Sequence, residues 1–557
     1  MRHLIAVAVL GLACSAIADT INVPADYPTI QGAIDASSDG DAIEIAAGTY
    51  NERDINTNGK AILISGAVDA EGVPASIIDG QGQLGTVLIC DSGENAETII
   101  EHLMVINAIG INGAAVACIE SSPTIQHCVF RNGVGAYGGG LYCDAASPFL
   151  LSCLFEGNLS SFHGGGIYCS NSNPTLTNCE ILNNTTTDNN SKARYGGGIC
   201  CSNSNPTLTN CTISGNTASG NGGNGGGIYC YSSNPTLDGC MISNNTSANS
   251  AAGIYCDSSN PTLDGCTISN NTANWAAGIY CYNNSNPTLT ECTISGNTAS
   301  VTNYTGGGLA CFDNSSPTLT DCVIEDNTGS GGGIYCYYYC SPLLTGCTIL
   351  GNTSSGIGGG CYIRSSSPIL IDCTISGNTS VKGGGIYCYE SSPTMIGCMI
   401  MGNTASTDGG GMYCYLSSPT LSGCVIDGNT ATDGGGGIYC NNSNPTISGC
   451  TISNNTASGD GGGIWIFKQG PVLTDTAVCS NAPDQIDGDW TDNGGNVIAD
   501  ECPDCPDING DGEVGVDEVL AVIAAWATDD PDADVNDDGI VDTNDILLVL
   551  SAWGPCP

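Results

Sequence analysis

NPTLTNCTISGNTASGNGGNGGGIYC, residues 205–230, decides the fold, because nearly the same string begins again at Asn234 and at Asn260. Thirteen copies are marked by Pro123, Pro148, Pro174, Pro206, Pro235, Pro261, Pro287, Pro317, Pro342, Pro368, Pro393, Pro419 and Pro445, most of them 25 or 26 residues apart. A fixed period of this size means stacked structural repeats, with the longer gaps taken up in loops. Within a copy, runs such as TLTNCTIS and GGIYC are short and β-prone, and clusters of Asn, Gly and Pro separate them. No helical period runs through the repeats. Several short strands and turns in each period predict one rung of a parallel β-helix.

Alternation then assigns the faces. In GIYC, Ile228 and Cys230 face in and Tyr229 out; in NCTIS, Cys211 and Ile213 face in and Thr212 out. Stacked rungs put like residues above like at ~4.8 Å. The Asn five residues after the second Cys recurs as Asn158, Asn184, Asn216, Asn245, Asn271, Asn297, Asn327, Asn352, Asn378, Asn403, Asn429 and Asn455, with Gly133 in the first copy. Such amides can bond along the stack and satisfy turn backbone. Gly triplets such as Gly225 to Gly227 permit turns closed to residues with a Cβ. Twenty-six of the 34 cysteines belong to the rungs, two per copy, usually ten apart as in Cys201 and Cys211. Their spacing is not that of a zinc site. Bonds between rungs would have to span ~4.8 Å between Cβ atoms, beyond the usual ~3.5–4.5 Å. Bonds within a rung and a stack of buried thiols both remain open.

The whole chain has 557 residues, with 9 Lys+Arg against 55 Asp+Glu and a formal charge of −46. That surface opposes nucleic-acid phosphates and suits divalent cations. Arg2, an apolar run over residues 4–10 and Ala16-Ile17-Ala18 read as a signal peptide, residues 1–18. No later apolar run reaches the ~20 residues of a membrane helix. The expectation is a secreted or cell-surface protein without a transmembrane segment.

The pairing of GGGI with FEGN (Phe155 to Asn158) or ISGN resembles the repeats of chlamydial-type polymorphic outer membrane proteins. The stretch YPTIQGAIDASSDGDAIEIAAGTYNE, residues 27–52, resembles the opening segment of pectin-lyase-fold proteins. The resemblance implies an all-β, right-handed parallel β-helix solenoid with a short N-terminal cap helix. Cap and first rungs are placed at 19–112 and the repeat helix at 113–499. GTYNE, residues 48–52, is read as closing a turn.

After Lys468 the chain has no Lys or Arg, and 20 of its acidic residues lie between Asp484 and Asp545. Past a linker at 500–505, two twelve-residue loops stand 27 apart, starting at Asp507 and Asp534. Each places oxygen ligands at positions 1, 3, 5 and 12 with Gly at 6, as a hard cation wanting six or seven oxygens and a sharp turn requires. The first loop offers Asp507, Asn509, Asp511, the carbonyl of Glu513, and Glu518. The second offers Asp534, Asn536, Asp538, the carbonyl of Ile540, Asp542 and Asp545. Each runs into an apolar helix, VLAVIAAWA or ILLVLSAWG. The duplicated loop–helix unit resembles the dockerin type I domain, a small α-helical, EF-hand-like, calcium-binding module at 506–557. The resemblance implies calcium as cofactor and a cohesin-like or cell-surface protein as partner. Loop positions 10 and 11 hold Val516-Asp517 and Thr543-Asn544 rather than the Ser-Thr-like pairs frequent in cellulosomal dockerins. Loop–helix pairs bring their ends together, so a Cys505–Cys556 disulfide is expected, with Cys502 as substitute partner and Cys502–Cys505 across CPDC as the rival.

No catalytic constellation stands out. Arg53, Lys60, Arg131, Lys192, Arg194, Arg364, Lys382 and Lys468 form no motif, and His102, His127 and His163 stand singly in the sequence. What recurs outward is aromatic. Tyr142, Tyr168, Tyr229, Tyr255, Tyr280, Tyr335, Tyr387, Tyr413 and Tyr439 precede the first rung Cys, and Tyr231, Tyr282, Tyr337, Tyr389 and Tyr415 follow it. An exposed stripe of this kind suits stacking against sugar rings or contact with a partner, as in an adhesin. The favoured expectation is a non-catalytic surface or matrix module that binds a glycan or a cell. A polysaccharide lyase or glycoside hydrolase is the enzyme alternative. Ice binding, suggested by Thr207-Leu-Thr209, ranks third because later copies break the array with Asp or Ser.

Overall fold

One rung carries four short strands, Thr207–Thr209, Thr212–Ser214, Thr217–Ala218 and Ile228–Tyr231. The bends between them need left-handed backbone: Asn210 has φ 51°, Gly215 67°, Gly225 66° and Ser232 47°. Asn and Gly recur at these points because they enter that region at least cost. At Gly227 a Cβ would also lie 2.8 Å from the Gly253 carbonyl of the next rung.

The computed structural model describes residues 18–187, 194–220, 222–300, 306–502, 513–526, 533, 540–541, 543, 546, 549 and 554–555, with side chains excepted at 513, 514, 518, 554 and 555. It falls into two units, Met1–Ser300 and Val301–Pro557. In the first, parallel ladders stack the TLT-type strands from Thr20–Val23 to Thr288–Thr290 and the IYC-type strands from Ile55–Asn56 to Ile279–Tyr282. The TIS-type strands run from Gly48–Tyr50 to Thr293–Ser295. The second repeats the pattern, with TLT-type strands from Thr318–Thr320, IYC-type from Leu309–Phe312 and TIS-type from Val323–Glu325. Register is in phase: Ile228 pairs with Ile254, Tyr229 with Tyr255 and Cys230 with Cys256. Both units are parallel β-helices.

The expected inward faces hold. Ile228, Cys230, Cys211 and Ile213 are at most 2% exposed. The rung cysteines are buried thiols in two columns, so neither disulfide reading describes them. Burial pushes the Cys200, Cys361 and Cys440 thiols well up, which keeps them protonated. One copy departs from the pattern: Cys361 pairs with Ile334, and Ile363 takes the column place beside Cys336. Both swapped side chains stay buried, at 3% and 1% exposed. The asparagines form the predicted ladder. Asn216 donates from its backbone N–H (2.9 Å) and its Nδ2 (3.0 Å) to Asn245 Oδ1. Gly133, lacking an amide, donates its N–H to Asn158 Oδ1.

The N-terminal end is closed by helix α1 (Ile30–Ala36), with Thr29 as N-cap. Glu52 of GTYNE accepts from the N–H groups of Ile30 (2.9 Å) and Gln31 (3.3 Å), an anion at a helix N-terminus. The contact is structural, but it is a helix cap and not the turn closure expected of GTYNE, whose Gly48–Tyr50 lies in a strand.

At the far end of the second unit, Val497–Ala499 adds a strand beside Ala477–Cys479, which brings Cys502 against Cys479 in a disulfide. Cys502 is thereby corrected as a partner for Cys556 or for Cys505; both of these lie outside the described residues. The bond spans 23 residues, so replacing Cys502 with Ser should cost the last rungs about 3 kcal/mol in the chain-entropy model. A linked 479–502 peptide pair in unreduced digests, and a lowered denaturation midpoint in the variant, are the expected results.

Candidate functional site

The outer face of the IYC-type strands carries the tyrosines. In the first unit one column runs Tyr142, Tyr168, Cys200, Tyr229, Tyr255, Tyr280. In the second unit Tyr335, Tyr362, Tyr387, Tyr413, Tyr439 and Trp465 are in register. The strand phase is as expected, but the exposure is not. Tyr229 is 5% exposed, Tyr255 8%, Tyr335 2%, Tyr387 9% and Tyr413 4%. The cause is stacking. Ring centroids lie 5.0 Å apart from Tyr229 to Tyr255 and again from Tyr255 to Tyr280, 4.9 Å from Tyr387 to Tyr413 and 4.6 Å from Tyr413 to Tyr439. A ring held between two others at the rung spacing has both faces covered, and the glycine turn packs on its side. The faces needed for sugar stacking are therefore occupied by neighbouring tyrosines. Tyr362, hidden in the sequence by the CYIR departure, belongs to the same stack.

The outer column beside it stays more open. Tyr231 is 46% exposed, Tyr389 stacks on Tyr415 at 5.3 Å, and Tyr282 and Tyr337 are half-buried. Arg364 stands in this column with its guanidinium 5.1 Å from the Tyr337 ring and 4.9 Å from that of Tyr389.

Between Tyr142 and Tyr280 the inner stack is interrupted at one rung. Cys200 replaces tyrosine between Tyr168 and Tyr229. Tyr195, from the preceding turn, partly fills the space, 4.2 Å from Tyr229 and 4.9 Å from His163. A cavity of about 250 Å³ remains, lined by His163, Tyr168, Tyr195, Cys200, Ser202, Tyr229, Tyr231 and Asp257. Burial first, then the charge of Arg194, push the His163 imidazole down to about 4, so it is neutral. Its Nδ1 is buried with no hydrogen-bond partner.

The cations are engaged one by one. Lys60 donates to the carbonyls of Ile34, Asp35 and Ser37 at the end of α1. Arg131 pairs with Glu156 (2.6 Å), Lys382 with Asp408 (2.7 Å) and Arg53 with Asp54 (3.6 Å). Arg194 donates to the Thr187 carbonyl and lies over Phe162, and Lys468 lies over Phe467. Lys192 is outside the described residues. His102 and His127, apart in sequence, stack at 5.2 Å. On the TLT-type face, Thr209 is followed by Asp238 and Asp264, which breaks the threonine array.

Of the calcium-ligand candidates, Asp507, Asn509, Asp511, Asp534, Asn536, Asp538, Asp542 and Asp545 lie outside the described residues. Glu518 is placed by backbone in helix α2 (Val516–Ala524). Glu513–Val514 pairs antiparallel with Gly554–Pro555, which returns the chain's end to the first loop. Gly554, expected at the end of a helix, lies in this strand. Val522, Ala533, Val541 and Val549 form a small core there, with Val519, Ala525 and Ile546 packed on it. Among the described residues no three His, Cys, Asp or Glu side chains gather in metal-binding geometry, and no helix is long and apolar enough to cross a membrane.

The family model of the right-handed beta helix region matches residues 75–242, 185–316, 223–363 and 298–424. That of the Chlamydia polymorphic membrane protein repeat matches 423–441 and 449–466. No curated protein matches the sequence. Similar solved structures include the Vag8–C1 inhibitor complex, 13% identical over 82% of this chain and 100% of that one, with TM-score 0.42. A point mutant of the periplasmic alginate epimerase AlgG is 11% identical over 72% and 83%, with TM-score 0.34. The PL6 family alginate lyase AlyGC is 11% identical over 83% and 80%, with TM-score 0.26.

Proposed function

This chain belongs to the right-handed β-helix family, and from that premise we propose that it is an exported, non-catalytic surface or matrix protein. It binds a glycan or a cell-surface partner and is held in place by a calcium-loaded, dockerin-like C-terminal segment. One observation carries the non-catalytic reading: the described Lys and Arg side chains each hold a structural contact. A lyase of acidic sugars needs a base and a charge clamp facing its groove, yet Lys60, Arg131 and Lys382 are tied to helix carbonyls or to carboxylates of their own fold. The matched polymorphic membrane protein repeat supports display at a surface. The signal-like start supports export.

The test of the enzyme rival is sugar release. The purified chain should liberate no unsaturated or reducing sugars from a panel of acidic polysaccharides; a steady release would overturn the non-catalytic reading.

The calcium segment has its own test. Bare loops hold closely spaced carboxylates that repel one another, so the fold there depends on the ion. Chelator should make the residues after 505 protease-sensitive and change tryptophan emission, while the rungs stay resistant. Unchanged digestion with chelator would refute the ligand assignment. The resemblance of the duplicated loop–helix unit to dockerin supports a cohesin-like or cell-surface protein as partner.

A further inference from the structure

We infer that the gap at Cys200 is a binding pocket for an organic ammonium ion. The assignment rests on reading the chain as a binding module and names the chemistry of one site in it.

The pocket exists because one side chain is missing from a repeating stack. Tyr168 and Tyr229 stand one rung to either side of Cys200. Where the rungs on either side place a ring, the thiol leaves about 250 Å³. Tyr195 enters from the turn but stacks on Tyr229 and His163 rather than closing the space. Four tyrosines, 168, 195, 229 and 231, therefore line one small cavity. Tyr195 and Tyr229 turn their faces to each other, to His163 and to Tyr255. What the pocket offers a cation is the Tyr168 face that Cys200 leaves without a column ring, and the 46%-exposed Tyr231. A cation is drawn to a ring face, most strongly when it is desolvated.

A carboxylate adds the net charge. Asp257 lines the same pocket, one rung from Tyr231 in the outer column. Its Oδ1 accepts from Ser258 Oγ and Asn283 Nδ2, both at 3.2 Å. After burial, its charge is among the influences that push the phenols of Tyr195, Tyr229 and Tyr255 up, so its field reaches across the cavity. No cation lines the pocket. Arg194 is 2% exposed and lies over Phe162, and His163 is neutral. A carboxylate ligand or phosphate would meet Asp257, and no cation in the lining offsets that repulsion. A neutral sugar would offer the carboxylate hydroxyl hydrogen bonds but no opposite charge. An ammonium group meets the rings and the carboxylate together.

The test is calorimetry on the full chain with choline and with its neutral isostere, 3,3-dimethylbutan-1-ol. Choline should bind saturably at one site. The isostere should bind at least about ten-fold more weakly, the scale of a desolvated cation–π contact with a carboxylate beside it. Asp257→Asn, at a half-buried surface position, should weaken choline about ten-fold and leave the isostere unchanged. Cys200→Tyr, which restores the ring of the neighbouring rungs, should abolish choline binding with an unchanged circular dichroism spectrum. Equal binding of choline and isostere, no binding of either, or full choline binding by a Cys200→Tyr protein would overturn the assignment. Glycan binding on a separate array reports on the wider reading. Array binding without choline binding sinks the pocket alone, and choline binding without array binding sinks the glycan reading alone.

Discussion

Replacing Asn245 with alanine should lower the stability of the first unit by about 4 kcal/mol, from two to three buried polar groups left unsatisfied at 1–3 kcal/mol each. Asn245 is 0% exposed. Its Oδ1 accepts from the Asn216 backbone and amide, and its Nδ2 donates to the carbonyl of Ile213 and to Asn271 Oδ1. Alanine orphans the Asn216 N–H inside the turn and removes the amide donor from the Ile213 carbonyl. Asn271 keeps one bond, from the backbone N–H of residue 245. The loss falls at an interface between rungs, and a solenoid is stable only through such interfaces. Urea unfolding followed by circular dichroism should show the shift, with Thr246→Ala, an exposed neighbour, as control. A change under ~1 kcal/mol, the range of an exposed substitution, would mean the ladder contributes little.

The ladder was legible because its signal is positional. An Asn at one offset in twelve copies has no reason to recur except a contact that recurs with it. Strand phase was legible for the same reason, since alternation fixes which side of a strand a residue takes. Exposure was not. Alternation gives direction away from the core, and Tyr229 does point that way. Whether it meets water depends on what stands above and below it, and the stacked rings answer that. Cys361 and Ile363 show a second limit. Spacing counted Cys361 as the rung cysteine, but pairing is set by backbone register, and two inward positions can exchange a thiol and a butyl group and still fill the column. The Cys200 gap had a trace in the sequence, GICC where other copies read GIYC, with an extra Tyr195 just before the glycines. Nothing in that string says that Tyr195 leans on Tyr229 and leaves a cavity open. The Cys479–Cys502 bond was missed because Cys479 falls after the last marked repeat, and only the added strand Val497–Ala499 brings its partner back.

Replacing Tyr229 with serine should cost about 3–4 kcal/mol, the range for removing a buried aromatic side chain. Tyr231→Ser, two residues on, should stay within ~0.5 kcal/mol. The first ring is 5% exposed and lies between Tyr195 and Tyr255 at 4.2 and 5.0 Å, while the second is 46% exposed. An outward-facing free platform would give near-neutral values for both. The same stack makes a prediction about alkali. Burial pushes the Tyr142 phenol up to about 12 and those of Tyr168, Tyr229 and Tyr255 higher still. In the unfolded chain a tyrosine ionises near pH ~10. The folded form thus holds protons that the unfolded form releases. The stabilisation is fully present below pH ~10 and declines as pH rises from there through the folded-state values. Tyrosinate absorbance and circular dichroism recorded together should show the buried phenols ionising only as the strands are lost, at about pH 12 or above. If all 22 tyrosines ionised near pH ~10 with the strand signal intact, the rings would be in water and the stack would not exist.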